Sequence, residues 1–226
     1  MATSYSVQHL GEVRSTQDLA RDGFDSSPLL VTATRQTAGR GRSGAPWRTA
    51  PRALAASVAV RPGWAPRVLP SVTLRAAVAA AEVIDGAGLK WPNDVLIGEA
   101  KVGGILAELS DGVIVIGLGL NLWWPNPPDG VTAVHKDDPG PGAGPRLAEQ
   151  WVESLLSLID AGPDEWPIDT YRRLCTTIGR EITWEPTGSG RAVDVDPSGA
   201  LIVETPSGRM RLTSGAVTHI RMTDDR

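Results

Sequence analysis

The chain has 226 residues, 41% of them hydrophobic and 21% charged, with a formal net charge of −4. That is the composition of one sizeable soluble domain with room for a small appendage. It has no run near the roughly 20 apolar residues a membrane helix needs, and its N-terminus lacks the basic and apolar regions of a secretory signal. A single cysteine, Cys175, excludes an internal disulfide and fits a reducing cytoplasm, and the scattered His9, His135 and His219 leave no zinc-type ligand cluster.

In chain order, Ser15-Thr16 before Gln17-Asp18-Leu19-Ala20-Arg21 predicts an N-cap and a short first helix. Leu29–Thr34 predicts a buried strand. Residues 35–51, rich in glycine and arginine, predict a long loop, and loops of that length are usually functional. Ala53–Val60 predicts a strand, and Leu69–Ile84 an alanine-rich helix ended by Gly86 and Gly88. Asp94–Ile97, a turn at Gly98-Glu99-Ala100 and Lys101–Leu109 predict a hairpin, followed by a buried central strand over Val113–Leu120. Residues 123–145 predict a Pro/Gly loop. Arg146–Asp160 places Leu147, Trp151, Leu155, Leu158 and Ile159 at helical spacing, and a second helix includes Asp169–Thr177.

After Gly179 the texture changes. Short alternating runs at Glu181–Trp184, Arg191–Val195, Leu201–Glu204, Arg209–Leu212 and Val217–Ile220 are split by Gly188-Ser189-Gly190, Pro197-Ser198-Gly199 and Pro206-Ser207-Gly208. Runs of this length predict a small barrel of about five strands. The expected fold is α+β, a mixed β-sheet packed with helices over residues 1–177 and a small β-barrel over 178–226.

Charge is unevenly placed. From Ser26 to Ala81 there is no Asp or Glu but eight arginines, Arg35, Arg40, Arg42, Arg48, Arg52, Arg61, Arg67 and Arg75. An anion-attracting surface and a solvated arginine face explain this equally well on charge alone, and the acidic total argues against a phosphate-tracking nucleic-acid face. The chain holds 19 arginines but only three lysines, Lys90, Lys101 and Lys136. A lysine retained beside glycines suggests a place where a compact ammonium is needed.

Four segments could carry chemistry. In Gln36–Gly44, glycines at 39, 41 and 44 let backbone amides approach a ligand, and Arg40 and Arg42 can clamp a phosphate or carboxylate; the alternative is a plain surface loop. The spacing is neither that of a Walker loop nor of a dinucleotide fingerprint. In Lys90-Trp91-Pro92-Asn93-Asp94, Pro92 holds Trp91 extended, so Lys90 and Asp94 flank a kink. There they either serve a phosphate and Mg²⁺ or form an ordinary turn with a surface ion pair. In Lys101-Val102-Gly103-Gly104-Ile105-Leu106, paired glycines inside a strand indicate close approach of a ligand or backbone, or a β-bulge, with Lys101 at its head. Gly117-Leu118-Gly119-Leu120-Asn121 sets two glycines in an apolar strand with Asn121 at its end. The histidines and Cys175 take structural or surface roles.

In order and spacing, Ser15-Thr16-Gln17, Gln36–Arg42, Lys90–Asp94, Lys101–Leu106 and Gly117–Asn121 resemble the biotin–protein ligases, over almost the whole chain. The resemblance implies a class II synthetase-like catalytic domain with an SH3-like C-terminal barrel. It implies formation of biotinyl-5′-adenylate from biotin and Mg·ATP, then transfer of biotin to one lysine of a biotin carboxyl carrier domain with an Ala-Met-Lys-Met-type loop. Mg²⁺ comes with ATP, and no tightly bound metal is expected. On this resemblance Ser15, Thr16, Gln17 and Gln36 bind the ureido head, and Gly39, Arg40, Gly41 and Arg42 close over the biotin and adenylate. Lys101 contacts the biotin carboxylate and α-phosphate, beside Gly103 and Gly104. Trp47 packs near the adenine, Lys90, Asn93 and Asn121 serve the nucleotide, and Asp94 the Mg²⁺. Arg42 and Lys101 are the expected catalytic pair.

Gln17 stands where the family's triplet has asparagine. Only 14 residues precede Ser15, too few for the N-terminal helix-turn-helix of roughly 60 residues that bifunctional members carry, so the monofunctional kind, without operator binding, is expected. A monomer or homodimer is expected, with neither nucleic acid nor membrane as partner. Lipoate ligases and octanoyl transferases share the fold, but their Arg-Arg…Gly-Gly-Gly and His-Asp signatures are missing here. A non-catalytic biotin- or nucleotide-binding regulator is the other alternative.

Overall fold

The computed structural model describes residues 3–44, 47–65, 68–213, 215 and 217–219. Seven strands, β1 (Ser6–Val13), β2 (Leu29–Gln36), β3 (Arg52–Val60), β4 (Ala87–Lys90), β5 (Asp94–Ile97), β6 (Ala100–Ser110) and β7 (Val113–Trp123), form one sheet in the order β1-β2-β3-β7-β6-β5-β4. β1 and β2 run parallel, joined through the short helix α1 (Thr16–Asp22), and the other neighbours are antiparallel. Ser15 caps α1 by accepting from the Asp18 amide, as its position before the helix predicts.

Alternation along the strands sorts side chains onto two faces. Leu30, Val58, Val60, Ile114 and Ile116 face one side, under α2 (Leu69–Val83) and α3 (Ala143–Asp160). Leu29, Val31, Ala59, Val113 and Val115 face the other, where α1 lies with Ala20 buried. β7 is buried at every residue but Gly119 and Trp123, because the sheet flanks it on both sides and helices cover both faces.

After α4 (Ile168–Leu174), β8 (Glu181–Trp184), β9 (Gly188–Val195), β10 (Leu201–Thr205), β11 (Gly208–Leu212) and β12 (Val217–His219) form an antiparallel sheet in the order β11-β10-β9-β8-β12. The five strands arise where the alternating runs predict them, but among the described residues no ladder joins β11 to β12, so the sheet is not a closed barrel. Ile220, expected in the last strand, lies outside the described residues. Residues Ile182, Ala192, Leu201 and Val203 join the main apolar core. Trp91 ties the two sheets together: its amide donates to Thr177 Oγ1 at 3.0 Å and its indole to the Gly199 carbonyl at 3.0 Å.

Three local expectations need correction, and one strand was not foreseen. The helix expected over Asp169–Thr177 stops at Leu174, with Cys175 extended at its C-cap. Gly88 does not end α2: the turn is made at Gly86, with φ +69°, and Gly88 lies within β4. Gly188-Ser189-Gly190 is not a turn but the start of β9, where a Cβ on Gly190 would strike the Glu204 carbonyl of β10. β1 was not anticipated at all, since its exposed polar edge shows no buried apolar run.

Candidate active site

The same alternation builds the floor of a cavity of about 300 Å³ between the sheet and the loop at 37–51. Leu118 and Leu120 point into the α2–α3 core, so Gly117 and Gly119 point the other way. Across the ladders they pair with Ser57 and Ala55 of β3 and with Leu106 and Gly104 of β6. Apart from Leu106, no side chain in these two rows exceeds serine. A Cβ on Gly117 would lie 3.2 Å from Gln17 Cδ, and one on Gly119 would lie 2.9 Å from Trp47 Cζ2. Those glycines give room to Gln17 and to the Trp47 ring.

The row at Gly117 is rich in amides and hydroxyls. The Thr16 amide and hydroxyl donate to Gln36 Oε1 at 2.8 and 3.1 Å, and Thr16 Oγ1 lies 2.8 Å from Ser57 Oγ. Gln17 Nε2 donates to the Leu106 carbonyl and to Glu108, both at 3.3 Å. Among the described residues, the buried Gln17 Oε1 has no partner. A buried orphan acceptor costs about 1–3 kcal/mol, and one on a cavity wall suits an N–H of a ligand.

The next row, roughly 7 Å further along the strands, gathers cations. Lys101 Nζ donates to Asp94 Oδ1 at 2.5 Å and sits 5.8 Å from the centroid of the Trp47 ring. Arg42 donates from Nη1 to Asn93 Oδ1 at 3.4 Å and to the Gly215 carbonyl at 3.2 Å, both uncharged acceptors. Burial pushes its pKa down, and the charge of Asp94 opposes that shift. Arg40 is placed differently: it grips Asp18 and Glu108, and its hydrogen bond is the chief cause that holds Asp18 at about 2. Beside this row a recess of about 220 Å³ opens along Trp47, Lys101, Asn121 and Trp124. There Asn121 Nδ2 donates to the Thr132 carbonyl at 3.0 Å, while its buried Oδ1 has no partner among the described residues.

Of the expected site residues, all but Gly39, Lys90, Gly103 and Asn121 lie on the cavity wall, and Asn121 lines the adjoining recess. Gly39 lies behind the wall, where a Cβ would come 2.9 Å from Gln36 Nε2. Gly103 faces the opposite side of β6 from Gly104. A Cβ there would strike Leu120 and lie 2.5 Å from the Gly119 carbonyl, so this glycine serves the core and not a ligand. Lys90, at the end of β4, is off the wall, and its charge is felt instead by His219, whose pKa is lowered first by burial and then by Lys90 and Arg180.

The acid-free stretch is likewise not one anion surface. Arg35 pairs with Glu12 and Arg52 with Asp138, and Arg61 lies over Phe24. Arg75 is buried, donating to the carbonyls of Leu158, Pro163 and Glu165, while Arg67 lies outside the described residues.

Asp18 and Glu108 were missed by sequence reasoning. Glu108 could have been found from its even spacing with Gly104 and Leu106, which sets all three on one face of β6. Among the described residues no group of three or more His, Cys, Asp or Glu side chains could hold a metal ion, and no helix is long and apolar enough to cross a membrane.

Residues 11–121 match the family model described as the Biotin/lipoate A/B protein ligase family, and residues 177–219 match the Biotin protein ligase C terminal domain. The chain is 33% identical over 225 residues to the biotin--[acetyl-CoA-carboxylase] ligase of Mycobacterium tuberculosis, covering 89% of this chain and 83% of that protein. It is 31% identical to the bifunctional ligase/repressor BirA of Bacillus subtilis, covering 96% of this chain and 76% of that one. Among solved structures, the biotin protein ligase from Aquifex aeolicus in complex with biotin and ATP superposes with a TM-score of 0.80 at 26% identity, covering 96% of this chain and 99% of that one.

Proposed function

The chain belongs to the biotin/lipoate A/B protein ligase family and is a biotin–protein ligase; from that premise we propose how its cavity does the work. Biotin lies over Gly117 and Gly119 beside Mg·ATP, is converted to biotinyl-5′-adenylate, and passes to a lysine of a biotin carboxyl carrier domain. One observation carries this reading: amide acceptors and donors and two cations meet on a single cavity in adjacent rows.

At the first row, Gln17 Oε1 accepts a ureido N–H, with Ser15, Thr16 and Gln36 around the rest of the head. At the second, a carboxylate oxygen attacks the α-phosphorus of ATP and pyrophosphate leaves. The reaction joins two anions, so charge neutralisation and alignment are the main task. Arg42, whose hydrogen-bond partners among the described residues are uncharged, and Lys101, which exchanges Asp94 for the ligand, supply that charge. The orphan acceptor Asn121 Oδ1 suits an N–H or O–H of the nucleoside rather than a phosphate oxygen, with Trp47 beside the base. Mg²⁺ arrives with ATP. Asp94 is the carboxylate on the wall, and an ion that keeps most of its waters asks little more of a protein.

We assign residues 1–177 to catalysis and 178–226 to a C-terminal unit, and place the chain in the cytoplasm, a compartment suited to its buried free thiol. Biotin-dependent exchange of pyrophosphate into ATP, absent with lipoate or octanoate, and a biotin mass gain on the carrier lysine test the reading.

A further inference from the structure

We propose that Arg40 is the latch of the loop segment 37–44 and not a ligand contact, and that Asp18 and Glu108 are the positioning residues it closes on. Five hydrogen bonds leave its guanidinium: Nε to Glu108 at 3.4 Å, Nη1 to Asp18 and Ser15 at 3.2 and 3.4 Å, and Nη2 to Asp18 and Glu108 at 2.7 and 3.2 Å. A guanidinium has five N–H donors, so none remains for a phosphate or carboxylate. Arg21 also pairs with Asp18, at 2.7 Å. Arg21 also reaches Asp22 at 3.4 Å, so two arginines face three carboxylates, and an anion arriving at Arg40 would meet Asp18 and Glu108 at close range.

The two partners belong to α1 and β6, elements that both contribute to the cavity wall and neither of them part of the loop. The stem of the loop is held by the backbone, Thr37 and Ala38 donating to the Val13 and Arg14 carbonyls at 2.9 Å each. Beyond Ala38 the first strong attachment is Arg40. Isolated exposed ion pairs contribute little, but a bidentate guanidinium shared by two half-sheltered carboxylates is the exception. Two residues on, Arg42 points the other way, to Asn93 and Gly215. Within Arg40-Gly41-Arg42, one cation shuts the loop and the next remains for the reacting anions.

What the shut loop retains rests on the function proposed above; the latch itself does not. Trypsin cleavage after Arg42 in the ligand-free protein reads loop opening, and the dissociation rate of biotin reads retention. In D18N/E108Q and in R40E both rates should rise about tenfold, with KM for biotin changing more than kcat. R40E/E108R again sets one guanidinium between two carboxylates and should bring both rates back toward wild type. Wild-type rates in D18N/E108Q would overturn the latch. So would failure of E108R to rescue R40E in variants whose melting temperatures show them folded, which would return Arg40 to the ligand. A wild-type protein that makes no biotinyl-adenylate would sink the functional reading, while proteolysis would still judge the latch.

Discussion

Lys101 Nζ lies 2.5 Å from Asp94 Oδ1, so the lysine of β6 is neutralised by a carboxylate at the head of β5 before any ligand arrives. Both groups are partly sheltered, and the pair stands over the same floor as Gly104, whose missing Cβ would sit 3.7 Å from Asp94 Oδ1. A ligand carboxylate or α-phosphate must compete with Asp94 for this ammonium.

Lys101→Ala should therefore lower single-turnover adenylation by at least about 2–3 kcal/mol of transition-state stabilisation. Lys101→Arg should not restore it, because a planar fork does not replace a compact ammonium in this space. Wild-type rates in either variant would remove Lys101 from the chemistry.

Two neighbouring glycines should fail in different ways. Gly119→Ala brings a Cβ to 2.9 Å from Trp47 Cζ2, a side chain that can give, so KM for ATP should rise with little change in melting temperature. Gly103→Ala brings one to 2.5 Å from the Gly119 carbonyl and against Leu120. It should cost about 1–3 kcal/mol of stability in urea unfolding, leaving both KM values of the folded fraction unchanged.

The two orphan acceptors predict a crossed pattern. Gln17→Leu should raise KM for biotin about tenfold and spare ATP, while Asn121→Leu should do the reverse, each acceptor being worth about 1–3 kcal/mol to the donor it meets. Steady-state titration of each substrate against both variants separates them.

Asp18 gives a pH signature. It sits at about 2, below its ordinary 3.8, chiefly because Arg40 donates to it. A depressed folded value means stability that is fully present above the unfolded value and lost as pH falls through the folded one. The melting temperature of wild type should exceed that of D18N near neutrality, with the gap closing between about pH 4 and pH 2.

Strong periodic segments were legible in the sequence. Val113–Leu120 announces the buried central strand β7, the turn at Gly98-Glu99 the β5–β6 hairpin, and Ser15 the cap of α1. The glycines of Gly117-Leu118-Gly119 were legible as close-approach positions, and the structure supplies Gln17 and Trp47 as what approaches. Gly103 and Gly104 were read as a pair, although neighbours in a strand must face opposite ways, so only one could meet a ligand. Lys90 was grouped with Asp94 by proximity, but the side chain that closes on Asp94 comes from another strand. The Arg40 latch was hidden because its partners lie 22 and 68 residues away in sequence, and a separation of that kind leaves no local pattern. β1 was hidden because a polar edge strand is fixed by its neighbour's backbone and not by its own apolar spacing.

Trp91 sits 1% exposed, separated from Asn93 and Asp94 by Pro92 alone, and spends both of its N–H groups on Thr177 and Gly199. Chimeras that graft the C-terminal unit of one relative onto the front of another must bring a free carbonyl to the point that Gly199 occupies. Otherwise the graft should tilt the segment that carries Asp94, and an exchange made in the tail would be felt on the cavity wall. The tail thus splints the cavity at two points, at Trp91 through the Gly199 carbonyl and at Arg42 through the Gly215 carbonyl.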